Sequence, residues 1–281
     1  MRYGKPDRVP CFQDGLREGV LGVWQEQGLP RNVDLASLFP HDRHELIDPD
    51  SDPWAERVTE WQSRDHVLMM RVHDGLFLSL GVDGWPRFRE VVRLLVRDPE
   101  FVRETMRTQG ELAAGVVEKV LWQVEIDAAV FVEPLCDNNG PLISPHMYED
   151  FAPQGYQPVF EVLRRHGVET LIFMSFGNPR PLLPMVVSWG FNCLWACEVN
   201  PETMSYVDIR REFGRKLRLI GGLDLDALRQ DHQAIEREFQ RKAAPLLRDG
   251  GYIPLADGRI REDVPYGNYV FYRRLLEKIT G

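Results

Sequence analysis

Carboxyl groups and arginines follow the ends of several apolar stretches of this chain, where they could transfer protons and bind anions. Glu133 closes the stretch VFVE, and Asp257 closes the stretch IPLAD. A carboxyl group whose pKa is raised by burial can donate and accept a proton near neutral pH, and a guanidinium binds carboxylates or phosphates in a fixed geometry. The pattern therefore predicts acid–base chemistry on an anionic substrate, with Glu133 and Asp257 as the catalytic groups.

Further side chains at such positions are candidates for substrate binding. They lie close to the end of a predicted strand, where a barrel enzyme places its binding groups. These candidates are Asp14, Arg17, Arg71, His73, Met174, Phe176, Glu198, Asp224 and Arg259. Two of them have an equally good structural interpretation, since Asp224 could cap the following helix and His73 could be a hydrogen-bonded wall residue.

Met174 and Phe176 raise a separate question, because they lie in the stretch LIFMSFGNPRPLL. This stretch is typical of a buried strand that leads through a turn into a helix. A thioether and a phenyl ring can neither move a proton nor hold a hard metal ion. We expect them to form an apolar wall that suits a planar or aromatic substrate.

Apolar stretches of strand length alternate with amphipathic helical stretches along most of the chain. Strands are predicted at 8–13, 66–73, 127–135, 169–175, 191–197, 217–222 and 251–257, and an eighth could lie within 44–50. Such an alternation indicates a parallel sheet covered by helices. Eight strands would close a single (β/α)8 TIM barrel over residues 1–281, with a cleft at its C-terminal face. A doubly wound open sheet is the alternative, although the turn after the first strand is a poor phosphate-binding loop.

Local signals predict where individual elements begin and end. Residues 16–28 are predicted to form a helix that Gly28 ends, and Ser144 is predicted to cap a helix that begins at Pro145. The segment 30–62 is polar and rich in Asp and Pro. We interpret that segment as a loop and a possible lid over the cleft.

Composition and charge exclude several kinds of partner. The net charge is −9 and the isoelectric point is near 5.4, which argues against nucleic acid. No stretch reaches the ~18 apolar residues of a membrane span, and the start MRYGKPDRVP has no signal-peptide core. The 4 cysteines are too sparse for a disulfide framework. We therefore expect a cytoplasmic protein without membrane contact. A homodimer is possible, and the native start could lie upstream of Met1.

Four stretches resemble the uroporphyrinogen decarboxylase (URO-D)-like superfamily. In chain order they are GKPDRVPCF, VFVEPLCDNNGPLISPHMYEDF, REFGRKLRLIGGLDLDAL and LLRDGGYIPLADGRIREDVPYGNYVFYRRLLE. The resemblance covers most of residues 5–280 and is weakest from 30 to 90. It implies a (β/α)8 barrel with a deep cleft. The runs GPLISP and GGYIP are its most specific parts.

The resemblance also implies two kinds of chemistry. One branch decarboxylates the acetate arms of uroporphyrinogen without a cofactor, using an Asp beneath the pyrrole N–H groups and arginines on the carboxylates. Here the run after the first strand supplies only Arg17, with Asp14 in place of one basic group. Another branch transfers methyl groups between corrinoids and thiols at a zinc ion held by an H-x-C motif. In this chain that motif falls on Met174, Ser175 and Phe176, so we expect no metal site.

The sequence thus predicts an enzyme that needs neither a metal nor another cofactor. It would act on a tetrapyrrole or on a small aromatic carboxylate or methyl ether, by decarboxylation-type chemistry. One alternative is a component of a corrinoid-linked methyltransferase or O-demethylase, with a corrinoid protein as partner. Another is a non-catalytic tetrapyrrole-binding protein. If the catalytic interpretation is right, replacing Asp257 by Asn or Glu133 by Gln abolishes turnover and spares the fold.

Overall fold

The computed structural model describes residues 3, 8–49, 53–199 and 202–280. The chain forms two compact units, of which one is assembled from both ends of the sequence and the other is continuous. The split unit comprises Met1–Arg43 and Ala196–Gly281, and the continuous unit comprises His44–Trp195. Each unit is described by itself below.

Seven strands occur among the described residues, and their order in the sheet is their order in the chain. The strands are β1 His44–Ile47, β2 Val67–His73, β3 Ala128–Glu133, β4 Leu171–Phe176, β5 Cys193–Cys197, β6 Arg218–Leu223 and β7 Tyr252–Ala256. Within the units, the strand pairs β1–β2, β2–β3, β3–β4 and β6–β7 are all parallel. The chain is therefore an α/β protein built on a parallel sheet, and a closed barrel of eight strands stays a prediction.

Helices and helical turns follow most of the strands. The α-helices are α1 Val20–Glu26, α2 Leu35–Leu38, α3 Trp54–Gln62, α4 Gly75–Ser79, α5 Trp85–Arg97, α6 Pro99–Leu121, α7 Pro145–Arg165, α8 Leu183–Trp189, α9 Tyr206–Phe213, α10 Leu225–Leu228, α11 His232–Glu238, α12 Ala244–Asp249 and α13 Tyr266–Thr280. Short helical turns lie at Arg180–Leu182, Gly214–Lys216 and Phe239–Ala243. Among the described residues no helix is long and apolar enough to cross a lipid bilayer.

The continuous unit contains β1 to β4 and the two longest helices. Ser144 caps α7 as predicted, because its side chain accepts a hydrogen bond from the N–H of Met147 at 3.2 Å. Helices α6 and α7 approach so closely at Gly110 and Gly155 that a Cβ atom on Gly110 would lie 2.3 Å from the carbonyl oxygen of Gly155. Only glycine permits this contact, which lets α6 and α7 pack closely against each other.

The split unit contains β6 and β7, paired in register so that Leu223 lies opposite Ala256. The N-terminal segment joins them at Leu16, which forms a parallel bridge with Ile260. In the same unit the buried indole of Trp24 donates to the carbonyl oxygen of Val264 at 2.8 Å. The first and last parts of the chain are thereby tied together by hydrogen bonds.

Three predictions of local structure need correction. Residues 8–13 form no strand. Cys11 and Phe12 are buried, as an apolar pattern predicts, but the segment is not hydrogen-bonded to a neighbouring strand in a ladder. The first helix begins at Val20, not at residue 16, because Gly15 and Gly19 have positive φ angles. The segment 30–62 is not a loop throughout, since it includes α2, β1 and α3. Residues 50–52 lie outside the described residues, and the lid stays a prediction.

Candidate active site

Two carboxyl groups follow directly on the paired strands β6 and β7 of the split unit. Asp224 comes after Leu223, and Asp257 comes after Ala256, its neighbour across the ladder. The N–H of Asp257 donates to the carbonyl oxygen of Leu223 at 2.8 Å, which continues the ladder by one step. The carboxyl ends of two parallel strands therefore bring both side chains to one edge of the sheet.

Asp257 is the buried acid of this edge. Its Oδ2 accepts a hydrogen bond from the N–H of Val199 at 2.6 Å, and the N–H of Glu198 interacts with the same carboxyl group. Its Oδ1 is buried and has no hydrogen-bond partner among the described residues. Burial, opposed by these N–H groups and reinforced by the charges of Asp224 and Glu198, raises the pKa of Asp257 to about 7. The group can therefore both give and take a proton at neutral pH.

Glu198 lies between two arginines next to this acid. Its Oε1 accepts a hydrogen bond from Nη2 of Arg17, and Nη2 of Arg261 lies 3.7 Å from the same oxygen. The bridge of Leu16 with Ile260 positions both arginines, because each arginine directly follows one of the bridged residues. All three charged side chains are more than a third exposed. The arrangement can bind an anion from solution.

Asp14, Arg259 and Asp224 complete the candidates of the split unit. Burial raises the pKa of Asp14, the positive charge of Arg259 opposes this shift, and the charge of Glu198 adds to it. Asp224 caps α10, since its side chain accepts from the N–H of Asp226 at 2.9 Å. Its own N–H donates to Glu238 at 2.7 Å. The capping interpretation of Asp224 is confirmed, and its carboxylate also acts on Asp257 through space.

Glu133, in the continuous unit, lies in a closed hydrogen-bonded cluster. Its side chain is fully buried, and both its oxygens accept from the N–H of Leu76, at 3.2 and 3.1 Å. Tyr148 donates to Oε2 at 3.0 Å, and Tyr156 donates to the same oxygen. Burial raises the pKa of Glu133 to about 7 against the effect of these donors. The cluster holds the start of α4 against the end of β3.

His73 belongs to the same region of the continuous unit. Its Nδ1 accepts from the N–H of Gly75 at 2.9 Å, so Nε2 carries the proton of the neutral ring. Burial lowers the pKa of His73 to about 4, and Nε2 has no hydrogen-bond partner among the described residues. Its ring packs edge-on against Tyr156, with centroids 4.8 Å apart. His73 is therefore a neutral wall residue at physiological pH, which is the second interpretation drawn from the sequence.

Arg71 is held by two carboxylates that flank it. Its Nε donates to Asp74 at 2.5 Å, and its Nη1 donates to Asp48 at 3.3 Å. These groups line a cavity of about 480 Å³ together with His73 and residues of α6. Because Arg71 is already paired twice, its capacity to bind a further anion is reduced.

Met174 and Phe176 are half-buried at the end of β4, and Ser175 between them points inward. The hydroxyl of Ser175 donates to the backbone carbonyl of Glu133 at 2.9 Å. A thioether, a bonded hydroxyl and a phenyl ring do not form the thiolate or imidazole set that zinc prefers. No three His, Cys, Asp or Glu side chains of the described part of the chain converge on a point. These residues do not fit the zinc ion of the methyltransferase branch, and we derive no step through it.

The sequence candidates are distributed over both units. Asp14, Arg17, Glu198, Asp224, Asp257 and Arg259 belong to the split unit, and Arg71, His73, Glu133, Met174 and Phe176 belong to the continuous unit. Sequence reasoning did not assign Tyr148 and Tyr156 to Glu133. Their spacing along α7, which places both on one face of the helix behind the GPLISP turn, is the signal that could have found them.

Comparison with known proteins bears on the family. The model of the uroporphyrinogen decarboxylase (URO-D) family matches residues 83–254, which is more than half of the chain. This range includes Glu133, Glu198 and Asp224 and ends before Asp257. No protein of curated function matches the chain in sequence.

Two solved structures are similar to this chain to different degrees. A putative vitamin-B12-independent methionine synthase from Listeria monocytogenes is 11% identical and has a TM-score of 0.52, with 99% of each chain covered. The intracellular xylanase of Thermoanaerobacterium saccharolyticum, in complex with xylotriose, is 12% identical with a TM-score of 0.39, and 84% of this chain and 92% of the xylanase are covered. At 11% identity the first similarity concerns the fold alone.

Proposed function

This chain belongs to the uroporphyrinogen decarboxylase (URO-D) family, and from that premise we propose that it decarboxylates an aromatic substrate that carries carboxylate arms. The substrate is a tetrapyrrole or a smaller arylacetate, and Asp257 is the group that transfers the proton. The arginines at Glu198 favour a carboxylate over a methyl ether, because a methyl ether gives a guanidinium no negative charge to bind.

One observation carries the proposal: Asp257 is buried at the end of β7, and its Oδ1 has no hydrogen-bond partner in the described part of the chain. Its pKa of about 7 keeps a large part of it protonated at neutral pH. A general acid works best when its pKa lies near the working pH. The N–H of Val199 is hydrogen-bonded to the other oxygen, Oδ2, so the proton is transferred from Oδ1.

The reaction balances with one proton. The bond between the arm's CH2 carbon and its carboxylate breaks, CO2 leaves, and the electron pair stays on the arm and ring. A proton is taken up, so that R–CH2–COO⁻ and H⁺ give R–CH3 and CO2. Asp257 supplies this proton from Oδ1 and is then reprotonated from solvent. The step requires no electron donor or acceptor.

Binding of the carboxylate arms is assigned to the arginines of the split unit, Arg17 and Arg259, which lie near Glu198 and Asp14 respectively. Glu133 enters as a positioning residue, because its carboxyl group is fully enclosed by protein donors. Contacts of Met174, Phe176, Arg71 and His73 with substrate stay predictions from the sequence. So do a corrinoid partner and a homodimer.

The test is anaerobic turnover of uroporphyrinogen I and, in parallel, of indole-3-acetate, with products separated by chromatography. We expect wild-type protein to release CO2 from at least one of them. The D257N variant should lose about 100-fold or more of the rate. The D263N variant is the matched control, since Asp263 is an exposed partner of Arg229. No CO2 from either compound, or full activity of D257N, contradicts the proposal.

The other two functions have less support. A methyltransferase of the zinc type would need ligands that residues 174–176 do not supply. A non-catalytic binder predicts saturable binding of uroporphyrin, followed by tryptophan fluorescence, with no product from either compound. That result would replace the proposed function.

A further inference from the structure

Glu198 is the one non-glycine residue of the described chain that has a positive φ angle, which is 51°. This left-handed conformation brings Cβ close to the backbone and is unfavourable for every L-residue with a side chain. A glycine would adopt it without cost. A strained conformation of this kind indicates that the side chain has a use that outweighs the strain.

The use visible in the structure is an ion pair with two partners. One carboxylate oxygen of Glu198 accepts a hydrogen bond from Nη2 of Arg17 and lies 3.7 Å from Nη2 of Arg261. Nε of Arg261 is buried and has no hydrogen-bond partner within the described ranges. Two guanidinium groups therefore share one carboxylate, and one of them has a donor left over.

This ion pair is open to exchange with solutes. The side chains of Arg17, Glu198 and Arg261 are 43%, 46% and 36% exposed. Exposed ion pairs contribute little free energy and are screened by salt. A carboxylate that arrives with additional apolar contacts can therefore replace that of Glu198.

The backbone of Glu198 does not have to move in such an exchange. The N–H of the next residue, Val199, stays bound to Oδ2 of Asp257 at 2.6 Å. The side chain can therefore swing away while the peptide that orients the acid keeps its place.

We propose that the Glu198 carboxylate is an internal stand-in for a carboxylate arm of the substrate, which displaces it from Arg17 and Arg261. The ligand class is an aromatic compound with a flexible carboxylate arm. The proposal rests on the proposed function, because it takes the anion at these arginines to be the substrate of Asp257. It adds Arg261 as a binding residue and gives Glu198 the role of a competitor.

The test is the affinity of the full-length protein for indole-3-acetate, measured by titration calorimetry, with the neutral indole-3-acetamide as the ligand control. We expect the E198Q variant to bind indole-3-acetate about five to ten times more tightly than wild type, since the charged competitor is gone. The E198G variant, which suits the positive φ angle, should gain at least as much. Binding of indole-3-acetamide should not change. The R261M variant should weaken binding of the acetate in both backgrounds.

Unchanged or weaker binding of indole-3-acetate by E198Q and E198G, with melting temperatures no lower than that of wild type, would overturn the proposal. Equal gains for the acetate and the amide would also overturn it, because the competition must be between charges. The titration requires no turnover. Failure of the proposed function would show in the D257N rate, and failure of this inference would show in the E198Q affinity.

Discussion

Val199 donates its backbone N–H to Oδ2 of Asp257 over 2.6 Å, while Oδ1 of the same carboxyl group is buried with no partner among the described residues. The two oxygens of Asp257 are therefore unequal. An N–H donor favours negative charge on the oxygen it contacts, so the proton of the neutral acid is on Oδ1. This asymmetry is the basis for the first two predictions.

The rate of turnover should fall as pH rises through about 7, because Asp257, with a pKa of about 7, must be protonated to act as the acid. Above that pH, kcat/KM should drop about tenfold per pH unit. The charges of Glu198 and Asp224 both raise this pKa. The E198Q variant should therefore move the falling limb to lower pH. A profile that is the same in E198Q and wild type would argue that another group is being observed.

The D257N variant should gain stability relative to wild type as pH rises. Burial raises the folded-state pKa of Asp257 to about 7, well above that of an unfolded chain. Folding therefore binds a proton, and wild type loses stability as pH rises from about 4 to about 7. An amide has no such proton, so the free energy of unfolding of D257N relative to wild type should rise by about 2–3 kcal/mol between pH 5 and pH 8. Urea unfolding at both pH values measures this, with D263N as the control.

Glu133 should tolerate glutamine better than alanine. Glutamine keeps one oxygen for the N–H of Leu76 and the hydroxyls of Tyr148 and Tyr156. Alanine leaves the buried N–H of Leu76 and one of the two hydroxyls unpaired, since the hydroxyls lie 2.9 Å apart and only one can donate to the other. We expect E133Q to cost about 1–2 kcal/mol and E133A about 3–5 kcal/mol in urea unfolding. As a positioning residue, Glu133 should affect turnover less than Asp257 does. A loss of rate in E133Q as large as in D257N would show direct participation.

Alanine at three glycines of the continuous unit should have effects of opposite sign. A Cβ atom on Gly110 would lie 2.3 Å from the backbone oxygen of Gly155, so G110A should cost about 2–4 kcal/mol. The G155A variant should cost less, because the contact atoms at 2.8 Å belong to the side chains of His73 and Met106. Gly115 lies in the same helix as Gly110 with nothing within 4 Å of its Cβ position. The G115A variant is the control and should gain up to about 1 kcal/mol.

The strands were predictable because their apolar residues are continuous, and β2 to β7 lie where the sequence placed them. The segment 8–13 shows the limit of that signal. Cys11 and Phe12 are 7% and 3% exposed, so the pattern reported burial correctly. Burial does not reveal whether a hydrogen-bonded neighbour is present, and a strand requires one. The short strand β1, His44–Ile47, lies within 44–50, where the sequence allowed a further strand despite the Asp and Pro residues around it.

Within the candidate site, the sequence indicated the acids at strand ends but not their surroundings. The contact of Glu133 with Tyr148 and Tyr156 depends on how α7 packs on the sheet, which no local pattern encodes. The positive φ angle of Glu198 could not be predicted from the sequence either, since glycine or asparagine normally occupies such a position. Hydrogen bonding distinguishes the two acids named as catalytic: both are buried, but within the described part of the chain only Asp257 keeps an oxygen without a hydrogen-bond partner.

The split unit has a consequence for the order in which the protein is made. Its N-terminal part, Met1–Arg43, belongs to the same compact unit as Ala196–Gly281, whereas His44–Trp195 forms a unit that is continuous in sequence. A ribosome adds about 5–20 residues per second, so the first segment waits roughly 8–30 s, with Phe12 and Trp24 uncovered, while the continuous unit is synthesised. Apolar side chains that wait in this way are natural targets for chaperones that act on nascent chains.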